Sequence, residues 1–315
     1  NESAYEQGKL AAIAADVQFE QARIDLTLRI AQAYFDVLAA EDVIAFINAQ
    51  KTAIAEQLAS AKRNFEVGTA TITDTHEAQA RYDLALAQEI AAQNDLEVKR
   101  NAFAVITGKQ PGMLSGLRPG VAISAPQPAG IEQWVTSAET GNIGVVAQTY
   151  QIEIAKLDVT RYRAGHLPTV DAVAAYAHNK GLPYATGATI ATTSIGLQMT
   201  LPLFTGYATT SQIRQAVSLE DKARTDLDTA RRNAAQAART AYLGVQSGLS
   251  QVRALEAAEA SSQLALEANR LGYDVGVRIN IDVLNAQQQL YSTRRDLAKA
   301  RYETLLAGLK LKAAA

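Results

Sequence analysis

Asp74 and Asp282 are the side chains whose type and spacing first invite a chemical reading. Each closes a short break between two long Ala-rich stretches, Val67-Gly68-Thr69-Ala70-Thr71-Ile72-Thr73-Asp74 and Val275-Gly276-Val277-Arg278-Ile279-Asn280-Ile281-Asp282. A carboxylate at such a place can accept hydrogen bonds from the free N–H groups that open a helix. Thr73 or Asp74 reads as the N-cap of the next helix, and Asp74 has Glu77 three residues on, the spacing of a capping box. Arg278 fits a solvated turn, and Tyr273 fits packing against a partner helix. None of this makes or breaks bonds. His76, His166 and His178 stand singly without ligand spacing, and cysteine is absent, so a metal site, a thiol nucleophile and a disulfide have no residues to build them. No phosphate-binding glycine loop, nucleophile elbow or paired catalytic carboxylate is present. The sequence offers no cofactor site and no constellation for an enzyme.

The elements that must position these residues are long helices. The 315-residue chain is 48% hydrophobic but only 6% aromatic, and rich in Ala and Gln, which suits closely packed helices. Its net charge of -2 gives no electrostatic footprint for nucleic acid. No apolar run reaches the ~18 residues of a transmembrane helix. Asn1-Glu2-Ser3 has no basic and apolar regions of a signal peptide, which reads as a cytosolic protein or as a mature or trimmed form.

All seven prolines (Pro111, Pro119, Pro126, Pro128, Pro168, Pro183, Pro202) fall in the middle, so the flanks can be uninterrupted helix. From Ser3 to Glu66 the one glycine is Gly8. Leu10, Ile13, Val17, Ile24, Leu28, Ala31, Phe35 and Leu38 keep steps of three, four or seven, as in helices wound side by side. A helix of about 60 residues would be roughly 90 Å long and needs a partner along its whole length. Gly68 can take the left-handed conformation that ends it. A second helix is expected from about Thr75 to Ile106, closed by Gly108. A Gly- and Pro-rich connection follows over 107–130. Ile131 to about Ala164 reads as helix, interrupted near Gly141-Asn142 and ended by Gly165-His166-Leu167-Pro168.

The period then changes. In Ile195-Gly196-Leu197-Gln198-Met199-Thr200-Leu201-Pro202-Leu203, apolar residues take every second position, as in a strand with one apolar face. Thr169 to His178 is a weaker strand, with Val170, Ala172, Ala174 and Tyr176 on one face. Gly181, Pro183 and Gly187 are expected in the loop between them. Each strand is about 10 residues, enough to span a bilayer when tilted. Tyr176 and Tyr184 fit either a membrane-interface belt or an ordinary hairpin. Helix returns after Gly206, runs to Tyr273, and resumes from about Asp282 to Lys312.

A shift of 208 positions superposes the two helical flanks without a gap. It pairs Ser3 with Ser211, Gln7 with Gln215, Ala22-Arg23 with Ala230-Arg231 and Ala33-Tyr34 with Ala241-Tyr242. It also pairs Val37 with Val245, Leu58 with Leu266, Val67-Gly68 with Val275-Gly276, Asp74 with Asp282 and Ala78-Gln79 with Ala286-Gln287. Chance would match alanines, but not Gly, Asp, Tyr and Arg in one frame. The chain is an internal two-fold repeat. The second copy follows a strand pair, so the first is expected to follow a hairpin of its own, with a helix, ahead of Asn1. A C-terminal tail is expected beyond Ala315.

With these pieces in order, the chain resembles the TolC-type outer-membrane channels of type I secretion and multidrug efflux. The matching residues are Val67-Gly68-Thr69-Ala70-Thr71-Ile72-Thr73-Asp74, Gly165-His166-Leu167-Pro168-Thr169, Leu201-Pro202-Leu203-Phe204, Tyr273-Asp274-Val275-Gly276 and Asp282-Val283-Leu284-Asn285-Ala286-Gln287. The resemblance implies a mainly α protein with a small β part. Its long antiparallel coiled-coil hairpins would join those of two other copies in a homotrimeric α-barrel. Each copy would also give strands to a shared transmembrane β-barrel in outer-membrane lipid. Six strands from three copies fall short of the ~8 that a filled barrel needs, which again calls for the absent hairpin.

The same resemblance places Asp74, Thr73, Tyr273 and Arg278 among groups whose hydrogen bonds and ion pairs hold the periplasmic end closed. It places Asp282 in a carboxylate ring at a cation-selective constriction, with Asn285 where a second acidic ring would stand. The tips Val67, Gly68, Thr69, Val275 and Gly276 match the docking positions of a periplasmic adaptor protein, itself joined to an inner-membrane RND or ABC transporter. The implied location is the outer membrane of a Gram-negative bacterium, extending into the periplasm. The implied organisation is a first helical-hairpin repeat over 1–106, a connection with an equatorial helix over 107–167, a β-hairpin over 168–205 and a second repeat over 206–315. The competing reading is a soluble coiled-coil scaffold capped by the strands.

Overall fold

The computed structural model describes residues 2–118, 123–182 and 185–315, with backbone alone over 179–182 and 185–190. Tyr184, Pro119, Gly120 and Pro183 lie outside the described residues. In chain order come α1 (Glu2–Glu66), α2 (Ile72–Thr107), α3 (Ile131–Gly141), α4 (Ile143–Arg163), β1 (Thr169–Leu182), β2 (Ala185–Thr200), α5 (Ala208–Asp274) and α6 (Asn280–Ala314). The proline-free flanks form the four long helices, because nothing in them removes a backbone donor. α2 closes at Gly108, whose left-handed φ of 73° directs its N–H to the Ala104 carbonyl at 2.8 Å.

The chain divides into two units, Asn1–Phe19 with Ile143–Arg231 and Glu20–Asn142 with Arg232–Ala315. In the first, Val145, Ile152 and Val159, seven apart on α4, are buried, and Gln7 donates to the Ile154 carbonyl at 3.3 Å. β1 and β2 pair antiparallel with Val170 opposite Met199, Ala172 opposite Leu197 and Ala174 opposite Ile195. The two expected apolar rows therefore meet on one face of the hairpin, since side chains alternate along each strand. The strands run longer toward the turn than the sequence suggested and stop sooner at the open end. Gly181 and Gly187 lie within strands, with an irregularity between Lys180 and Leu182, and pairing reaches Leu182 with Ala185. Leu201 and Leu203 lie beyond β2, which ends at Thr200 opposite Thr169, the first residue of β1. Pro202 has no N–H to extend the ladder.

In the second unit α1 and α2 lie antiparallel. Near the turn Lys51 pairs with Glu89, and farther away Arg100 pairs with Glu41 at 3.0 Å. α5 and α6 are tied likewise by Arg294 to Glu259 at 2.9 Å and Arg301 to Glu256 at 2.8 Å. Ile54 and Leu58 of α1, Ala78 and Ala85 of α2 and Leu284 of α6 share one core cluster, so the two hairpins pack together through small and branched residues. The repeat is visible in burial: Val37 and Val245, and Leu58 and Leu266, are buried in both copies. Of the apolar stripe noted on α1, Leu38 is buried and the rest is half-buried or exposed. The repeated tyrosines also have matching roles. Tyr34 donates to the Ser115 carbonyl at 2.6 Å and Tyr242 donates to the Ala129 carbonyl, so each holds one end of the irregular 107–130 connection.

Tyr302 of α6 is buried against Phe35, with ring centroids 5.7 Å apart, and donates to Asp42 at 2.7 Å. Burial, and then the Asp42 carboxylate, push its phenol well above the ordinary tyrosine range. A folded-state value above the unfolded one stabilises the fold fully below about pH 10, and that stability is lost as pH rises beyond it. Chemical unfolding followed by circular dichroism should therefore show stability falling above about pH 10, and Tyr302→Phe should flatten that fall. An unchanged alkaline slope in the variant would remove Tyr302 as its source.

Candidate functional site

The two turns are built alike. Gly68 and Gly276 both have φ of 79°. In the first turn Gly68 N–H donates to Phe65, and Thr69 and Ala70 N–H both donate to Asn64, at 2.8 to 3.1 Å. In the second, Gly276 donates to Tyr273, and Val277 and Arg278 both donate to Gly272, at 2.9 to 3.0 Å. The acceptors and donors are related by the same 208-position shift. A left-handed residue after the helix lets the next N–H groups turn back to its last carbonyls, and only glycine takes that conformation without strain. Val67, Thr69, Val275 and Val277 are exposed at the two apices.

The caps differ from the sequence expectation. α2 begins at Ile72 with Thr71 as N-cap, so neither Thr73 nor Asp74 caps it, and the box partner is not Glu77. Thr71 N–H and Oγ1 donate to Asp74 Oδ2 at 3.0 and 2.8 Å, and Asp74 N–H donates back to Thr71 Oγ1 at 3.3 Å. Thr71–Asp74 has the same three-residue spacing as Asp74–Glu77, and the earlier pair wins because the helix starts three residues sooner. In the second copy Ile279 replaces the capping threonine, and no side chain caps α6. Asp282, relieved of that role, faces Arg278, with Arg278 Nη1 3.7 Å from Asp282 Oδ2.

Among the residues singled out from sequence, Thr73 is exposed and Asp74 half-buried. Tyr273 packs beside Leu266, Val283 and Leu290, and its hydroxyl accepts from Asn64 Nδ2 at 3.2 Å. That bond joins the end of α5 to the end of α1. Asn285 accepts from Arg81 Nη2 at 2.9 Å. Within one chain, then, Tyr273, Arg278, Asp282 and Asn285 each have a partner at the tips, while the Asp74 carboxylate is engaged by its own cap.

Sequence reasoning overlooked Asn280, Gln57, Arg81 and Gln288 here. Asn280 is 1% exposed. It accepts from Gln57 Nε2 at 2.6 Å and donates to the Asp74 backbone carbonyl at 3.1 Å, so one side chain on α6 holds both helices of the other hairpin. Arg81, one heptad after Asp74, also donates to Gln288 Oε1 at 2.5 Å. The available signal was a mismatch: Asn280 stands where the first copy has Ile72.

The model of the family described as outer membrane efflux protein matches residues 1–109 and 134–315. The outer membrane protein TolC of Vibrio cholerae serotype O1 is 34% identical over 304 residues, which cover 95% of this chain and 69% of that protein. The alkaline protease secretion protein AprF of Pseudomonas aeruginosa is 32% identical over 314 residues, covering 98% of this chain and 65% of the relative. This chain thus spans about two thirds of the length of both. Among solved structures, the outer membrane protein VceC of Vibrio cholerae superposes with a TM-score of 0.83 at 20% identity, over 100% of this chain and 75% of that one.

Proposed function

The chain belongs to the outer membrane efflux protein family, and from that membership we propose an outer-membrane channel-tunnel that exports drugs or proteins delivered by an inner-membrane pump. Three copies form the tunnel. It lies in the outer membrane of a Gram-negative bacterium, and its helices extend into the periplasm. The observation that carries the reading is the β-hairpin face. Val170, Tyr176, Ile195, Leu197 and Met199 share it, and Ile195 and Leu197 are 85% and 80% exposed. The opposite face carries Asp171, Ser194 and Gln198. That face also holds Val173 and Ala175, but its polar groups have no counterpart among the large apolar residues of the first, and such a contrast suits a barrel strand between lipid and lumen. Just past β2, Phe204 and Tyr207 are exposed and their rings meet edge to face at 6.3 Å. They suit an aromatic girdle at the membrane interface, a place for which the sequence offered Tyr176 and Tyr184, with an ordinary hairpin as the equal alternative. A water-soluble scaffold would leave this face without a partner.

Exposed Leu84, Ile90, Val98 and Val105 on α2 support association of copies, because water is a poor neighbour for that surface. The tips close the tunnel. Opening moves the second hairpin away from the first, and it breaks the bond between Tyr273 and Asn64. The exposed apices at Val67-Gly68-Thr69 and Val275-Gly276 receive a periplasmic adaptor. Energy comes from the pump, and the choice of cargo lies there as well.

The reading is tested by reconstituting the intact protein in planar lipid bilayers. Stepwise conductance is expected, and Asp282→Ala should shift the reversal potential in a salt gradient toward that of chloride. A protein that stays in solution without detergent and conducts nothing would return the scaffold.

A further inference from the structure

The 208-position shift relates contacts as well as residues. Inside one chain, Phe35, Ala39, Asp42 and Phe46 of α1 line a groove together with Ala298, Tyr302 and Leu306 of α6. The two helices meet there through the Phe35 and Tyr302 rings and through the bond from Tyr302 to Asp42 at 2.7 Å. Tyr302 and Leu306 are buried and the other five are half-buried. Moved by the shift, the α1 face becomes Leu243, Ser247, Ser250 and Ala254 of α5. The α6 face becomes Ile90, Asn94 and Val98 of α2. All of these are exposed and none carries a charge. Leu243, Ile90 and Val98 are 54%, 62% and 54% exposed. Each hairpin thus has one half of the same contact left open, the α1-type half on the second and the α6-type half on the first.

We propose that these open halves meet between copies: α5 of one copy packs on α2 of the next, in the register that α1 and α6 keep within a chain. The inference rests on the trimeric channel reading above. A contact between two different faces runs head to tail, and three copies close it into a ring of alternating hairpins. The side chains match in this register. Phe46 and Ala298 share the groove inside the chain, and their counterparts Ala254 and Ile90 exchange the large and the small member, so a large side chain still faces a small one. Tyr302 and Asp42 are replaced by Asn94 and Ser250, again a pair able to donate and accept. Asn94 of one copy therefore bonds to Ser250 of the next. Leu243, Ile90 and Val98 leave water in the same step.

The chain has no cysteine, so paired cysteines report the contact without background. Asn94→Cys and Ser250→Cys are combined in the intact protein in detergent, and a short bismaleimide is added. Most of the protein should move from the monomer band to dimer and trimer bands on a denaturing gel. Each single variant should stay monomeric there, as should Asn94→Cys combined with Leu264→Cys, which stands two heptads out of register on the same face of α5. Light scattering gives the assembly state of the same samples. A trimer whose 94–250 pair leaves only monomer bands, or whose two pairs link equally, overturns this register and leaves the channel reading standing, with the α5 face open to another protein. A monomer in detergent that links through neither pair overturns the trimeric reading and this inference with it.

Discussion

Asn280→Leu should raise the open fraction of the channel by roughly 5- to 150-fold, the equivalent of about 1–3 kcal/mol removed from the closed arrangement. Leucine is close to asparagine in shape, so the packing of a side chain that is 1% exposed changes little. What changes is hydrogen bonding. The Gln57 amide loses its acceptor at 2.6 Å, and the Asp74 carbonyl loses the second of its donors, at 3.1 Å, while keeping its bond within α2. Burying such a group without a partner costs about 1–3 kcal/mol, which is more than the bond itself is worth. The strain falls on the seam between the hairpins, because Gln57 and Asp74 belong to one and Asn280 to the other. Opening as proposed separates those hairpins and lets water reach the orphaned groups, so the variant favours the open side. Open probability in planar bilayers reads the effect directly. Gln57→Leu combined with Asn280→Leu should recover much of the closed population, because two apolar partners leave no side-chain amide unpaired and the Asp74 carbonyl keeps its bond within α2. Equal open probability in the single variant and the unmodified channel would end the idea that Asn280 ties the hairpins shut.

The seam also shows where sequence reading succeeds and where it stops. The left-handed glycines were legible, because a glycine between two proline-free helical stretches has few other uses and Gly68 and Gly276 recur at the same shift. The hairpin face was legible from alternation alone. Its ends were not, because the alternation runs on through Leu201 and Leu203 and gives no sign that Pro202 stops the ladder. The cap of α2 was misplaced because two pairs with identical spacing competed. The deeper difficulty lies in the repeat itself. Duplication is recognised by sameness, and the contacts between the hairpins form where the copies differ. Ile72 became Asn280, Thr71 became Ile279, and Asn64 became Gly272. The first change makes the seam bond, and the second releases Asp282 toward Arg278. The third leaves room for the Arg278 side chain: a Cβ at residue 272 would lie 2.6 Å from Arg278 Cγ. A comparison tuned to matches passes over all three.

Gly248→Ala should destabilise the α5–α6 pair, although alanine is the better helix former by about 1 kcal/mol. A Cβ at this position would lie 3.1 Å from both Cβ and Cγ2 of Thr304 and still closer to its hydroxyl oxygen. Thr304 has little room to yield. It is 2% exposed, and its hydroxyl donates to the Ala300 carbonyl at 2.6 Å. Overpacking of this kind costs about 1–3 kcal/mol, enough to outweigh the gain in propensity. The helix supplies its own control one turn earlier. At Gly244 the nearest group to a new Cβ is the Ala307 methyl at 3.6 Å, an ordinary contact. Gly244→Ala should therefore stabilise by up to about 1 kcal/mol, with the opposite sign to its neighbour. Thr304→Ala should partly restore Gly248→Ala, since it removes the colliding Oγ1 and Cγ2 and leaves the Cβ contact at 3.1 Å, and the two changes together should be less damaging than their separate effects predict. Denaturant unfolding of all four variants against the unmodified protein gives the signs. If both glycine replacements stabilise alike, helix propensity governs this interface; opposite signs with rescue place the close approach of α5 and α6 at Gly248 and Thr304.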